Sequence, residues 1–221
     1  MNHRVIAGTE AKRIGHLNEE KICHWMNEHY DGTFITDGRS NTKVDILNIN
    51  TNIKYSVKSV SKNHTQCHLT SSHRWCEYFN IDGKLKNWFM KFFGVPGIDV
   101  SDGKNPRHRL SYSDIDFEFN DLAYQWFNDM KEKVFYVIME AGMNNTPVDY
   151  LIWHQKKSNA ISIHSMSSLK SLIANGEWMM NETTLHFNTN GQKMFHLQMK
   201  GSGKKYSSSY HSLMFHIHKC F

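Results

Sequence analysis

"KVDILNINTNIKYSVKSVSKNHTQCHL", residues 43–69, sets out the core of the chain in one run. Two runs with strand-like alternation, "KVDILNI" and "IKYSVKSV", are separated by an Asn/Thr turn, which predicts two neighbouring strands. Side chains of a strand point alternately to its two faces, so Val44 and Ile46 share one face and Asp45 takes the other. In the second run Ile53, Tyr55 and Val57 share a face, and Lys54, Ser56 and Lys58 share its opposite. If the two strands pair, a carboxylate, a hydroxyl and an ammonium converge at Asp45, Ser56 and Lys58.

Composition bounds what such a cluster serves. A chain of 221 residues with 39% hydrophobic and 21% charged residues is globular and long enough to bury a core. It is expected to form one domain, with the motif segment in residues 1–80 and the remaining core and recognition elements in 81–221. A net charge of +5 and a pI near 8.9 favour a polyanionic partner without demanding one. Cys23, Cys67, Cys76 and Cys220 form no CxxC pair, which fits reduced thiols better than a disulfide framework or a zinc ribbon. No signal-peptide stretch opens the sequence and no apolar run reaches the length of a membrane span, so a cytoplasmic protein without membrane attachment is expected.

Outward from the opening stretch, "AKRIGHLNEEKICHWMNEHY" places Ile14, Leu17, Ile22, Trp25 and Met26 at helical spacing, with Asp31-Gly32 as its stop. "TFIT" reads as a short strand, "HLTSSHRWCEYF" as helix or loop, and "GVPGIDVSDGKNPRHR" as a loop. "FNDLAYQWFNDMKEK" and "SMSSLKSLIANG" read as helices; "VFYVIME", "DYLIWHQ", "KMFHLQMK" and "SLMFHIH" read as strands. The uneven alternation of helices and strands predicts an α/β fold, a central mixed sheet flanked by helices.

Divalent-metal cleavage of phosphodiesters needs the residue types gathered at residues 45–58. A carboxylate holds Mg²⁺, the ion polarises the phosphoryl oxygen and acidifies a bound water, and a nearby lysine orients or helps deprotonate that water.

At these residues the chain resembles the PD-(D/E)XK nuclease superfamily, and within it type II restriction endonucleases. The resemblance covers roughly the first 80 residues: a helix, a strand with Asp45, and a strand ending in Lys58. "GHLNE" is similar to the GxxxE that resolvase-like members carry on the first helix, mapping to Gly15 and Glu19. Glu19 borders the apolar face beside Met26 and is preferred to Glu20, the fallback. "KSVSKNHTQCHL" is similar to the segment after the family's lysine and marks Lys62 and Gln66 as DNA contacts. The superfamily usually carries Asp or Glu two residues before the lysine, where this chain has Ser56. Some restriction endonucleases resemble this Ser-x-Lys variant and carry the missing acid on the following helix, which points to Glu77; Glu19 fills the same electrostatic role from the first helix.

The resemblance implies a restriction-endonuclease-like core and a Mg²⁺-dependent endodeoxyribonuclease (Mn²⁺ as possible substitute) that leaves 5′-phosphates. Asp45, Glu19 and Glu77 are the candidate metal ligands, Lys58 the group that orients water, and Ser56 a partner for a metal-bound water. The length beyond the motif segment favours a sequence-specific restriction enzyme acting on double-stranded DNA, with a cognate methyltransferase as genetic partner and a homodimer as one possible assembly. A structure-specific repair or recombination nuclease and a non-catalytic binding protein with a degenerate site are the alternatives.

Two later regions carry candidate DNA contacts. In "FHLQMKGSGKKYSSSYHSLMFHIH" alternation turns Phe195, Leu197 and Met199 to a core and His196, Gln198 and Lys200 to a polar row, followed by Lys204 and Lys205 in a Gly-rich loop. The Pro/Gly loop adds Arg107 and Arg109, which suit guanine or backbone phosphate. "HIH" at His216 and His218 has two imidazoles on one strand face, and a metal site there needs further ligands, His196 being the neighbour in the pattern.

Overall fold

In the computed structural model, which describes residues 3–38, 42–62, 64–93, 117–181, 184–199 and 212–218, the chain divides into two compact units. One comprises Met1–Asn63 and Met139–Leu169, the other His64–Ile138 and Lys170–Phe221.

The first unit is built on five strands: β1 (Phe34–Thr36), β2 (Ile46–Asn48), β3 (Ile53–Val60), β5 (Tyr150–Gln155) and β6 (Ala160–Ser165). They lie in the order β1-β2-β3-β5-β6. β3 runs parallel to β5, with Val57 beside Ile152, and every other pairing is antiparallel. This is the mixed sheet expected from the sequence. The amphipathic helix α1 (His3–His29) packs on it through Ile22, Cys23 and Met26, which meet Phe34, Ile46, Tyr55, Val57 and Ile152 in one buried cluster. Only the C-terminal half of the predicted apolar face is buried, since Ile14 and Leu17 remain 41% and 48% exposed.

Local polar groups fix the entry to β3. Asn27 of α1 holds β1 by donating to the Phe34 carbonyl and accepting from the Phe34 amide, both at 2.9 Å. Buried Asn48 accepts from the amides of Asn50 and Thr51 and so shapes the β2–β3 turn, where Asn52 adopts φ 58°. Gly32 has φ 124°, and a Cβ there would stand 2.6 Å from the Asn48 side chain, so only glycine fits. At the other edge of β3, Asp149 ties its start to β5 by exchanging two 2.8 Å bonds with the Lys54 backbone.

The second unit carries an antiparallel sheet of β4 (His64–Ser71), β7 (Glu177–Asn181), β8 (Thr184–Thr189), β9 (Gln192–Met199) and β10 (Ser212–His218), ordered β4-β10-β9-β8-β7. Helices α2 (Ser72–Tyr78), α3 (Gly83–Phe93) and α4 (Phe117–Asp129) cover its apolar side. Trp75, Trp88, Phe127, Trp178, Phe187, Phe195 and Phe215 form an aromatic core, each 0–1% exposed. Ser71 caps α2, its hydroxyl accepting from the Arg74 amide.

Two expectations are corrected. "VFYVIME" is helical, forming the end of α5 (Lys131–Phe135) and a π-helical turn at Tyr136–Ala141. Val134, Phe135, Val137, Ile138 and Met139 are all buried, and a segment buried all round loses the periodicity that separates helix from strand. "HLTS" is not helix or loop but the end of β4, whose pairing with β10 lies far away in sequence, while "SHRWCEY" forms α2 as expected. Gln66 accordingly sits in a strand opposite His216. α6 (Met166–Ala174), by contrast, follows its pattern and stops just before Gly176. Among the described residues no helix is long and apolar enough to cross a membrane.

Ile152 is fully buried in the α1–sheet cluster. Ile152→Ala should therefore cost about 2–5 kcal/mol by lost transfer energy and a residual cavity. Urea unfolding reads this, and an unchanged midpoint contradicts the packing described.

Candidate functional site

Asp45 stands immediately before β2, where strand pairing holds it on both sides. Its amide donates to the Tyr55 carbonyl at 2.8 Å, and its own carbonyl accepts from the Asp37 amide at 3.0 Å. The carboxylate faces β3: Oδ2 accepts from the Val57 amide at 2.6 Å and from the Ser56 hydroxyl at 3.1 Å. Lys58 Nζ lies 3.9 Å from the same oxygen. The ammonium also donates to Ser56 Oγ at 2.9 Å and to the Val57 carbonyl at 3.1 Å. Asp45, Ser56 and Lys58 thus form one connected cluster, as strand alternation predicts.

Ser56 is fully buried and lies between the two charges. It gives its proton to Asp45 and accepts one from Lys58, so the hydroxyl serves the cluster itself. Asp45 and Lys58 are about a fifth exposed, at 20% and 19% of their side-chain surface, so solvent reaches the charged ends.

Glu19 enters from α1. His16 Nδ1 lies 3.1 Å from Glu19 Oε2, and the glutamate side chain is 22% exposed. Its carboxyl is held above the usual carboxylate range, first by burial and then by the negative charge of Asp45; the His16 bond and the Lys58 ammonium pull the other way. Glu19 therefore shares an electrostatic field with both Asp45 and Lys58.

Among the described residues no three His, Cys, Asp or Glu side chains already converge as a metal cage. The donor chemistry nonetheless suits a hard cation of the Mg²⁺ class, which is commonly held by one or two carboxylates with water and substrate phosphate completing its shell. Every described hydrogen bond to the Asp45 side chain falls on Oδ2, leaving Oδ1 without a bond to any described residue.

The other sequence candidates are scattered. Glu77 lies on α2 in the second unit, exposed and 3.0 Å from His73 Nε2. Lys62 is exposed just after β3, and Gln66 is exposed on β4. Gln198 sits in β9 between Met214 and Thr184. Arg107, Arg109, Lys200, Lys204 and Lys205 lie outside the described residues.

The "HIH" pair has company that spacing alone does not reveal. β-register brings His64, His186, His196, His216 and His218 together on four neighbouring strands. Burial, reinforced by the neighbouring rings and Lys193, lowers His196 to about 3 and His218 to about 4.

No protein-family profile matches the chain, and no curated protein sequence matches it. Among solved structures it is similar to restriction endonuclease MspI in complex with its cognate DNA, at 14% identity and a TM-score of 0.48, over 83% of this chain and 69% of that one. It is also similar to HhaI endonuclease in complex with DNA, at 14% identity and a TM-score of 0.35, over 90% of this chain and 89% of that one.

The raised Glu19 carboxyl has a consequence for stability. The folded chain keeps this proton to higher pH than the unfolded chain, so stability falls as pH rises from about 4.5 through the folded value. Glu19→Gln removes that penalty. The variant should melt above wild type at about pH 8, with the gain shrinking as pH approaches about 4. A Glu19→Gln protein that melts lower than wild type at about pH 8 contradicts the assigned electrostatics.

Proposed function

We propose that this protein is a Mg²⁺-dependent endodeoxyribonuclease of the PD-(D/E)XK type, and most specifically a type II restriction enzyme acting on double-stranded DNA. The observation that carries the reading is the Asp45–Ser56–Lys58 cluster, with Glu19 in the same field. Asp45 and Glu19 supply the oxygen ligands, and Mn²⁺ suits the same donors. When bound, the metal ion neutralises charge on the scissile phosphate and acidifies a water. Asp45 is oriented for its task by the Val57 amide and the Ser56 hydroxyl. Lys58 places a positive charge beside Asp45, where it orients the attacking water and offsets charge growing on the phosphate in the transition state. Ser56 replaces a second acid at the motif position and holds Asp45 and Lys58 in register. The enzymes the motif resembles leave 5′-phosphates, and the same product is proposed here.

The rest of the chain fits that role. The net charge of +5 favours a polyanion. Lys62, Gln66, Gln198, Lys200, Lys204, Lys205, Arg107 and Arg109 are the proposed DNA contacts, and Glu77 is the alternative acid. The whole chain 1–221 then works as one nuclease in the cytoplasm. There the free thiols of Cys23, Cys67 and Cys76 stay reduced, and a methyltransferase protects the host sites.

The test is incubation with phage DNA and Mg²⁺, with and without EDTA, followed by sequencing of fragment ends. Discrete sites with 5′-phosphate ends are expected, and EDTA should abolish cutting. Asp45→Ala and Lys58→Ala should each lower the cleavage rate at least about 100-fold while DNA binding survives. Cutting confined to branched or mismatched DNA assigns the same centre to repair or recombination. Undiminished cleavage by either variant removes the cluster from the chemistry.

A further inference from the structure

The histidines of the second unit remain after the carboxylate cluster has been assigned. On β4, β10 and β9, His64, His218 and His196 lie on one face of the sheet, each partly exposed. Alternation explains the sharing of a face: Phe195, Leu197, Phe215 and Ile217 point into the aromatic core, so the residues between them point away. His196 Nδ1 and His218 Nε2 face one another at 2.7 Å. His216 lies flat over His196, with ring centroids 4.0 Å apart and planes 11° apart.

We propose that His64, His196 and His218 form a binding site for a transition-metal ion of the Zn²⁺ class, held by imidazole nitrogen.

Three observations carry this. The first is spacing. Two imidazoles that share a tetrahedral ion at about 2.0–2.1 Å per nitrogen hold their ring centroids about 5 Å apart. The centroids are 4.9 Å apart for His196–His218 and 5.2 Å for His64–His218. His64–His196 stands at 6.3 Å, so the three rings do not yet converge on one point and the proposed site requires the His64 ring to turn inward on binding. The second is direction. The His196 and His218 nitrogens already point at one another, and opening their separation from 2.7 Å to about 3.3 Å makes them two corners of a tetrahedron. The third is donor type. Imidazole suits zinc, copper and nickel, whereas Mg²⁺ prefers oxygen.

Binding exchanges a hydrogen bond for coordination. In the metal-free pair one ring donates its N–H to the bare nitrogen of the other. The donor ring moves that proton to its second nitrogen, leaving both facing nitrogens with lone pairs for the ion, and no net proton is released. His216 stacks flat on His196 and braces that ring. Lys193 adds positive potential near the rings, so the ion is held by coordination rather than by the surrounding field. Three ligands leave one tetrahedral position for water.

This inference is independent of the carboxylate centre. Full-length protein, stripped with chelator and dialysed, is titrated with ZnCl₂ by calorimetry and separately with CoCl₂ by absorption spectroscopy. One Zn²⁺ per chain is expected, undisturbed by excess Mg²⁺, with the intense visible bands of tetrahedral Co²⁺ in wild type. His196→Asn and His218→Asn should each weaken Zn²⁺ binding at least about 10-fold. His24→Ala, an exposed histidine on α1 paired with Glu28, should bind as wild type. Absence of Zn²⁺ uptake, an octahedral Co²⁺ spectrum in wild type, or uptake undiminished in both variants overturns the site. The Co²⁺ spectrum decides the matter without a variant, whatever the substitutions do to folding.

Discussion

The hydrogen bond from the Val57 amide to Asp45 Oδ2, at 2.6 Å, is the constraint on which the candidate site depends. It ties a side chain at the mouth of β2 to the backbone of β3, and it exists only because Ile46 pairs with Tyr55. Since side chains alternate across a strand, a slip of one residue would turn Ser56 and Lys58 to the α1 side of the sheet and bring Tyr55 and Val57 to Asp45. The register is secured from both directions. The β2–β3 turn is set by Asn48, and the parallel pairing of β3 with β5 is anchored by Asp149.

Serine at position 56 alters the electrostatics of the arrangement. A second carboxylate here would place two like charges on neighbouring groups around Lys58. A buried hydroxyl instead donates to the acid and accepts from the base, so one ion pair and its bridge are satisfied internally. The other negative charge is carried by Glu19 on α1, where burial and Asp45 oppose its ionisation. The ionised form of Glu19 is thus disfavoured in place, and perturbed carboxyls of this kind cluster at functional centres.

Legibility in the sequence followed the range of the forces involved. β3 was readable because the apolar/polar alternation over Ile53–Lys58 distinguishes its two faces, although it breaks at Ser59 and Val60. The meeting of Asp45, Ser56 and Lys58 was readable because a short turn joins their strands. β9 and β10 were visible for the same reason as β3. Strands β7 and β8 were not, since "EWMMN" and "TLHFNT" mix Met, Asn and Thr on faces that become distinct only against Trp178, Leu185 and Phe187. The histidine face was half visible: His216 and His218 share a strand, but His64 arrives by pairing across more than 150 residues, which no local pattern encodes. The Val134–Glu140 segment failed because nearly all of its side chains are buried, so no polar face marks its period.

Asp45, Lys58 and Glu19 act on one another as a single electrostatic unit. Following the Glu19 side-chain carboxyl carbon by NMR through a pH titration, in wild type and in Asp45→Asn, tests it most directly. The expected result is a wild-type midpoint above that of an ordinary glutamate and a lower midpoint once Asp45 is neutralised. An ordinary wild-type midpoint, or one indifferent to the Asp45 charge, contradicts it.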